Sequence, residues 1–334
     1  MRLSLEQIRE MTTGAVCVRE EESGVRFYRY TEAELEAHAA RNCRDSMEIP
    51  HYMYYTSAGI RLRMRTDSKS LYLRAVCVGM NPAIQNYFSF DVYAGGNLVG
   101  TMACLDNTGI EDVHEKTFAL GEGVKEVHIH LPHSVAMAVQ ELRLDEGAFA
   151  EAVRPEKQLL CYGDSITQGY SAYQPSRTYS ARVADALQAS CMNKAVGGDR
   201  VFEEIVQEED DLAPDYITVA YGTNDTNYTA EDYASVYRKF IAKLSAKHPR
   251  ARIFAISPIW RADWNEPLLV GTHEDMENVI RAQCEDLPNV TFLCGWDLVP
   301  HDPACMRDGR VHPNDEGFDA YADNLIAAIK KELE

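Results

Sequence analysis

The sequence predicts an α/β protein in two parts: an antiparallel, jelly-roll-like β-sandwich, followed by a parallel β-sheet with helices on both faces. Short strand-like runs follow one another from about residue 50 to 145. After Arg154-Pro155, apolar strand-like runs alternate with segments of helical length. At 334 residues, the chain also exceeds the size at which a single core usually stops growing. We therefore expect an accessory domain over 1–150 and a second domain over 155–334.

The first part contains several stretches in which apolar and polar residues alternate, as they do in a strand with one buried face. These stretches are "GIRLRMRTD" (59–67), "SLYLRAVCV" (70–78), "YFSFDVYAGGNLVG" (87–100), "KEVHIHL" (125–131) and "VQELRLDEG" (139–147). The third stretch has two strand-like runs around Gly95-Gly96, which indicates a hairpin. Many short strands with few helical stretches are typical of an antiparallel sandwich.

The second part alternates short apolar runs with longer amphipathic segments. The runs are Leu159–Tyr162, Met192–Val196, Tyr216–Tyr221, Arg252–Ile256 and Val290–Cys294. The segments between and after them are "TYSARVADALQAS", "EDYASVYRKFIAKLSAK", "THEDMENVIRAQCEDL" and "DEGFDAYADNLIAAIKKELE". In the last segment one helical stripe holds Phe318, Tyr321, Leu325, Ile326 and Ile329. Such alternation predicts a parallel sheet, which binds ligands at the carboxyl ends of its strands.

Net charge, apolar runs and cysteine spacing indicate which partners and which cellular compartment are expected. The net charge of −19 disfavours nucleic acid and anionic membranes, because both are bound by clustered basic residues. No apolar run approaches the roughly 20 residues that span a bilayer. The acidic N-terminus does not resemble a signal peptide, so a cytoplasmic location is expected. The 9 cysteines show no C-x-x-C spacing, which favours free thiols and gives no support to a metal site.

Four stretches that follow predicted strands contain polar or small residues. "CYGDSITQGY" (161–170) contains Ser165, "NKAVGGDRV" contains Gly198, and "YGTND" contains Asn224. "RDGRVHPNDEGF" contains Asp308 and His312. At one edge of one sheet these residues would supply the nucleophile, the oxyanion donors and the base of an acyl-transfer site.

Each stretch also has a structural interpretation. Asp164 or Ser165 can cap a helix, and Gly197-Gly198 can form a turn. Asn224 can likewise cap a helix, and "HPND" can be a helix entry. What favours a catalytic site is that all four stretches fall on the same edge of the predicted sheet.

The four blocks resemble those of the SGNH (GDSL-type) hydrolases. They are "GDS" at 163–165, Gly198 in "VGGD", "GTND" at 222–225 and "HPND" at 312–315. The resemblance covers about 155–334 and implies a flavodoxin-like αβα sandwich. It implies that Ser165 attacks an ester with His312 as general base, and that Asp164 shapes the turn. It also implies an oxyanion hole made by the Ser165 and Gly198 N–H groups and the Asn224 amide, with no cofactor or metal.

The spacing before the histidine departs from the family pattern. The family has Asp-x-x-His, whereas Asp308 precedes His312 by four positions in "DGRVH". A bulge eased by Gly309 would let Asp308 complete a triad. The alternatives are Asp302 as the partner, or a Ser–His dyad whose imidazole is held by a backbone carbonyl.

A β-sandwich ahead of an SGNH domain resembles carbohydrate esterase family 2, whose members remove acetyl groups from sugars. This resemblance implies a carbohydrate O-acetyl esterase acting on a small-molecule or oligosaccharide ester. "SPIWRADWNEP" (257–267) follows the fourth strand, so Trp260, Arg261 and Trp264 are candidate sugar-binding residues. Tyr221 is a candidate wall of the pocket. Core or interface packing is the alternative role for the tryptophans.

Other functions stay open at this point. A lysophospholipase would need an apolar cleft, and an acyl-CoA thioesterase would need cations such as Arg200, Arg261 and Arg310. An inactive glycan-binding protein is the alternative from a different class. The first part is expected to pack on the second or to mediate homo-oligomerisation.

Overall fold

The structure is a computed structural model that describes residues 1–81, 84, 87–208 and 212–334. It contains two antiparallel sheets and one parallel sheet. Within the described ranges, every helix is too short or too polar to cross a lipid bilayer. All nine cysteines lie in these ranges, and each is a free thiol.

The antiparallel part is a sandwich of two sheets. Its strands are β1 (Thr12–Thr13), β2 (Cys17–Glu21), β3 (Gly24–Tyr28), β4 (Arg61–Thr66), β5 (Ser70–Gly79), β6 (Phe88–Ala94), β7 (Asn97–Cys104), β8 (Val113–Ala119), β9 (Lys125–His130), β10 (Ala136–Leu144) and β11 (Glu151–Ala152). One sheet has the order β1-β4-β9-β6-β7, with β11 beside β4, and the other has the order β2-β3-β10-β5-β8. Their facing side chains form one apolar core. The prediction of an antiparallel sandwich is confirmed.

Several elements of this part were not predicted from the sequence. The helices α1 (Leu5–Met11) and α2 (Glu32–Arg44) precede β4, and a 3₁₀ turn covers His51–Tyr55. The strands β2 and β8 have largely exposed side chains, so they lack the alternation that marks the other strands. Both lie at edges of their sheet, where only one neighbour covers them.

The parallel sheet has the strand order β13-β12-β14-β15-β16 and a flavodoxin-like topology. Its strands are β12 (Lys157–Gly163), β13 (Ala189–Asn193), β14 (Tyr216–Ala220), β15 (Arg252–Ile256) and β16 (Val290–Leu293). The helices are α3 (Ser165–Gln168), α4 (Tyr179–Ala186), α5 (Ala230–Lys247), α6 (His273–Cys284) and α7 (Asp315–Leu333). Further 3₁₀ turns cover Pro175–Arg177, Glu203–Ile205, Trp296–Leu298 and Pro303–Cys305. The predicted parallel sheet is confirmed, except that β13 begins and ends three residues before the predicted run.

Successive side chains of β12 point to opposite faces of the sheet, and helices cover both faces. Leu159 and Cys161 face α4 and α7, whereas Leu160 and Tyr162 face α5 and α6. The stripe predicted on the last helix packs against the first of these faces, and only Ile326 of that stripe is partly exposed. The layered core therefore fixes the carboxyl edge of the sheet, where the candidate site lies.

A buried polar junction joins the sandwich part to the sheet part. The Arg29 guanidinium is fully buried and donates to the carbonyl oxygens of Asn193 and Ala195, at 2.8 Å each. Lys194 Nζ lies 2.7 Å from Glu34 Oε2, and these side chains are 0% and 2% exposed. The first part therefore packs on the second through charged groups that are buried away from solvent.

We expect Glu34→Gln to lower the free energy of unfolding by about 3–5 kcal/mol, because it removes the charge that compensates the buried Lys194 ammonium. Glutamine keeps the size of the side chain and can still accept from the Thr31 N–H. The measurement is urea unfolding. The control is Glu151→Gln at the exposed ion pair with Arg65, where the expected loss is below about 1 kcal/mol. Equal losses in the two variants would contradict the account of the junction.

Candidate active site

Ser165 stands at a sharp turn between β12 and α3. The strand ends at Gly163, and Asp164 caps the helix by accepting from the Ile166 N–H at 3.0 Å. A side chain at Gly163 would place its Cβ 2.2 Å from Thr167 Oγ1, so only glycine fits where the chain turns back. The turn presents the Ser165 hydroxyl at the carboxyl edge of the sheet.

The loop between β16 and α7 brings two further side chains to this hydroxyl. Ser165 Oγ lies 2.9 Å from His312 Nε2. His312 Nδ1 lies 2.6 Å from Asp308 Oδ2. The three side chains form one chain of hydrogen bonds, with the imidazole between a hydroxyl and a carboxylate. This arrangement can activate a serine and fix the tautomer of its base.

The extra residue between Asp308 and His312 is accommodated by a turn around the carboxylate. Asp308 Oδ1 accepts from the N–H groups of Arg310, Val311 and His312 at 2.9, 2.8 and 3.1 Å. Gly309 has a φ of 67°, a left-handed conformation that glycine adopts without strain. The four-residue spacing therefore still brings Asp308 to the imidazole.

Burial and hydrogen bonding act in opposite directions on the Asp308 carboxyl. Burial raises its pKa, but the bonds from His312 and from the backbone N–H groups outweigh burial and hold the pKa well below its usual range. Asp308 is therefore ionised at neutral pH and can accept from His312 Nδ1–H.

Three groups close to Ser165 could stabilise an oxyanion. Two of them are the Ser165 and Gly198 N–H groups, for which the described residues provide no acceptor. The Gly197 N–H, by contrast, already donates to Gln168 Oε1 at 2.7 Å. Asn224 Nδ2 donates one hydrogen to the Asp199 carbonyl oxygen at 2.9 Å, which fixes the amide and leaves its second hydrogen. Free, fixed donors of this kind suit a developing negative charge.

Three buried carboxyls belong to residues that directly neighbour these donors in the chain. Burial raises the pKa of Asp164 and of Asp199 to about 6, and that of Asp225 to about 7. Asp225 Oδ1 accepts from the Val201 N–H at 3.2 Å, as Asp164 does from Ile166. Asp164, next to Ser165, and Asp225, next to Asn224, thus each accept a hydrogen bond from a backbone N–H group.

A cavity of about 500 Å³ opens over Ser165 and His312. One wall comes from the sheet part, with Tyr170, Gly198, Arg200 and Asn224. The opposite wall comes from the sandwich part, with residues 45–50, Met53 and Ile84. The first part therefore lines the cavity in addition to packing on the sheet.

This second wall was not predicted, because residues 45–53 carry no motif and lie more than a hundred positions before Ser165. Tyr170 was also missed, although it ends the same decapeptide as Ser165. Its ring lies 4.5 Å from the His312 ring, and its hydroxyl donates to the Ile84 carbonyl oxygen at 2.9 Å. Proximity to "GDS" is the signal that could have found it.

The prediction that Tyr221 forms a pocket wall is wrong. Tyr221 is 1% exposed, and its ring packs 5.6 Å from that of Phe240 on α5. It directly follows β14, but its side chain turns into the layer between sheet and helix. Position at the end of a strand therefore did not establish the direction of the side chain.

Trp260, Arg261 and Trp264 lie outside the cavity over Ser165, and their role in sugar binding stays a prediction. The Trp264 ring stacks on His273 at 4.6 Å, and the Trp260 ring stacks on His301 at 5.5 Å. Trp264 lines a separate cavity of about 390 Å³. Arg261 forms an ion pair with Asp263 and donates to the Thr223 carbonyl oxygen. Packing against histidines accounts for the two tryptophans.

Comparison with known families agrees with this geometry. Residues 161–320 match the GDSL-like Lipase/Acylhydrolase family. This part of the chain is similar to that family. The matched range contains Ser165, Gly198, Asn224 and His312, so the GDSL-like part holds all four blocks of the SGNH pattern. No curated protein matches the chain.

Solved structures share the two-part architecture. The salicylyl-acyltransferase SsfX3 from a tetracycline biosynthetic pathway has a TM-score of 0.77 and 24% identity, over 96% of this chain and 94% of its own. A family two carbohydrate esterase from Clostridium thermocellum, in complex with cellohexaose, has a TM-score of 0.60 and 18% identity, over 83% and 94%. An acetyl xylan esterase from the rumen bacterium Butyrivibrio proteoclasticus has 0.56 and 18%, over 83% and 91%. At these identities the likeness shows the fold.

Proposed function

We propose that this protein is a serine ester hydrolase that removes small acyl groups, above all acetyl, from carbohydrates. The observation that carries the proposal is the continuous chain of hydrogen bonds from Ser165 Oγ through His312 to Asp308, at the floor of an open cavity. A hydroxyl, an imidazole and an ionised carboxylate in this order are the parts of a nucleophilic acyl-transfer site.

In the proposed reaction Ser165 Oγ attacks the ester carbonyl carbon while His312 Nε2 takes the hydroxyl proton. The negative charge on the carbonyl oxygen is stabilised by the Ser165 and Gly198 N–H groups and the Asn224 amide. The bond to the alcohol then breaks, and His312 returns the proton to the leaving oxygen. Water, deprotonated by His312, attacks the acyl-enzyme. The bond between the acyl group and Ser165 Oγ breaks, His312 returns the proton to Ser165 Oγ, and the acid leaves.

The polar groups of the cavity support a carbohydrate as the alcohol. Asp45 and Glu48 on one wall and Arg200 on the other offer acceptors and donors for the hydroxyl groups of a sugar. Solved structures of similar fold include the carbohydrate esterase in complex with cellohexaose and the acetyl xylan esterase. These features favour a neutral, hydroxyl-rich leaving group.

The charges around the cavity disfavour an acyl-CoA substrate. Arg200 contributes one positive charge to the lining, against the two carboxylates of Asp45 and Glu48. Arg261 and Arg310 both form ion pairs with Asp263. The phosphates of CoA would thus meet an acidic rim, which repels them.

We expect turnover of p-nitrophenyl acetate to exceed that of the butyrate and octanoate esters, and acetate to be released from acetylated xylo- or manno-oligosaccharides. The measurement is kcat/KM across the ester series, followed by acetate release from each oligosaccharide. A preference for octanoate would contradict the deacetylase proposal in favour of a lysophospholipase or thioesterase. Binding of the oligosaccharides without turnover of any ester would favour the inactive glycan-binding alternative.

A further inference from the structure

A buried ion pair links the sandwich part to the loop that carries Gly198. Arg41 on α2 is 1% exposed, and its guanidinium pairs with the carboxylate of Asp199, which is 0% exposed. The guanidinium also lies 4.5 Å from the centroid of the Phe202 ring. Charges are moved out of water only where a partner compensates them, so each member of the pair holds the other in place.

Asp199 connects Arg41 to two of the candidate oxyanion donors, the Gly198 N–H and the Asn224 amide. It directly follows Gly198 in the chain, so its position sets that of the Gly198 N–H. Its carbonyl oxygen accepts from Asn224 Nδ2 at 2.9 Å, which orients the side-chain amide. Its own N–H donates to the Val196 carbonyl oxygen at 3.1 Å and closes the turn.

We propose that Arg41 is a positioning residue for the oxyanion hole. Through Asp199 it holds the Gly198 N–H and the Asn224 amide in the geometry that a developing oxyanion requires. The proposal rests on the proposed function, because it assumes that these donors act on an ester carbonyl. It gives the first part of the chain a direct effect on the rate of the chemical step.

Other contacts of the junction hold the two parts together, so the positioning role of Arg41 can be tested separately. Arg29 bonds to the backbone of Asn193 and Ala195, and Glu34 pairs with Lys194, independently of Arg41. The loop itself contains Gly197 and Gly198, whose backbones are easily displaced without such an anchor. Loss of Arg41 should therefore displace donors while α2 stays in place.

Oxyanion donors stabilise the transition state more than bound substrate, so their displacement lowers kcat and leaves KM nearly unchanged. We expect Arg41→Ala to lower kcat for p-nitrophenyl acetate by about 10²-fold, the cost typical of a misplacement near 1 Å. Millimolar guanidinium chloride should restore part of the lost rate by occupying the vacated space, whereas sodium chloride of equal ionic strength should not. The control is Arg238→Ala, which removes an exposed ion pair between α5 and Asp286, a residue just after the end of α6.

Hydrogen exchange of the peptide spanning 197–200 gives a readout that does not need turnover. We expect Arg41→Ala to show faster exchange in this peptide and unchanged exchange in α2. The loss of kcat and its rescue should accompany this change. Unchanged kcat in folded Arg41→Ala would overturn the proposal, as would a loss of rate with uniformly faster exchange and no rescue. If wild type turns over no ester, the proposed function fails, and unchanged exchange at 197–200 would then overturn the positioning role as well.

Discussion

Replacing Ser165 by alanine should lower kcat for ester hydrolysis by about 10⁶-fold, the size of effect seen when the nucleophile of a serine hydrolase is removed. The reason is that His312 Nε2 would lose the hydroxyl that it deprotonates, and no acyl-enzyme could form. The measurement is the rate of p-nitrophenyl acetate hydrolysis by each purified protein, with circular dichroism to verify folding.

The matched control is Ser190→Ala on the edge strand β13. Its hydroxyl donates to the Lys157 carbonyl oxygen at 3.3 Å and does not line the cavity. We expect this variant to keep the wild-type rate. Substantial hydrolysis by folded Ser165→Ala would show that another group carries the reaction.

Asp308→Asn should lower kcat by about 10⁴-fold, because the amide would donate to His312 Nδ1 and leave the imidazole in the wrong tautomer. The side chains are nearly equal in size, and the amide oxygen can still accept the N–H groups of Arg310 and Val311. The loss should therefore appear in the rate rather than in the folding of the loop. The measurement is kcat and KM across the pH range in which wild type is folded.

Asp302→Asn serves as the control for this substitution. Asp302 accepts from the Ala304 N–H at 2.9 Å and caps a 3₁₀ turn, whereas His312 Nδ1 is bonded to Asp308. We expect its kcat to stay near that of wild type. A loss below tenfold in Asp308→Asn would contradict the triad and favour a Ser–His dyad held by a backbone carbonyl.

The sequence was sufficient to predict where the candidate site lies. In a parallel sheet the ends of β12, β13 and β14 must meet at one edge, so polar residues that follow these strands are brought together by the topology. Ser165, Gly198 and Asn224 could be placed in this way. His312 could be added because it precedes the last helix, which packs on the same sheet.

The walls of the cavity could not be predicted by the same argument. Tyr221 has the same position relative to its strand as a ligand-binding residue, but its ring fits between the sheet and α5. The tryptophans follow β15, yet His273 and His301 already stack on them. Which way a side chain leaves the end of a strand depends on packing between elements, and no local pattern records it.

The sandwich wall illustrates a second limit. Residues 45–50 and Met53 reach the cavity, and Arg41 reaches Asp199, through the docking of two separate cores. All of them precede Gly198 by more than 140 positions. Neither alternation nor a motif marks these residues. Only the fold shows that a buried arginine on α2 pairs with the aspartate beside an oxyanion donor.

Covalent labelling of the nucleophile tests the central claim most directly. A p-nitrophenyl phosphonate should react with wild type so that Ser165 Oγ forms a bond to phosphorus while p-nitrophenolate leaves, and peptide mass spectrometry would locate the adduct. The account predicts one phosphonyl group per chain, on the peptide that contains Ser165, and none on Ser165→Ala. A stoichiometric adduct on any other residue of a protein that hydrolyses esters would contradict it.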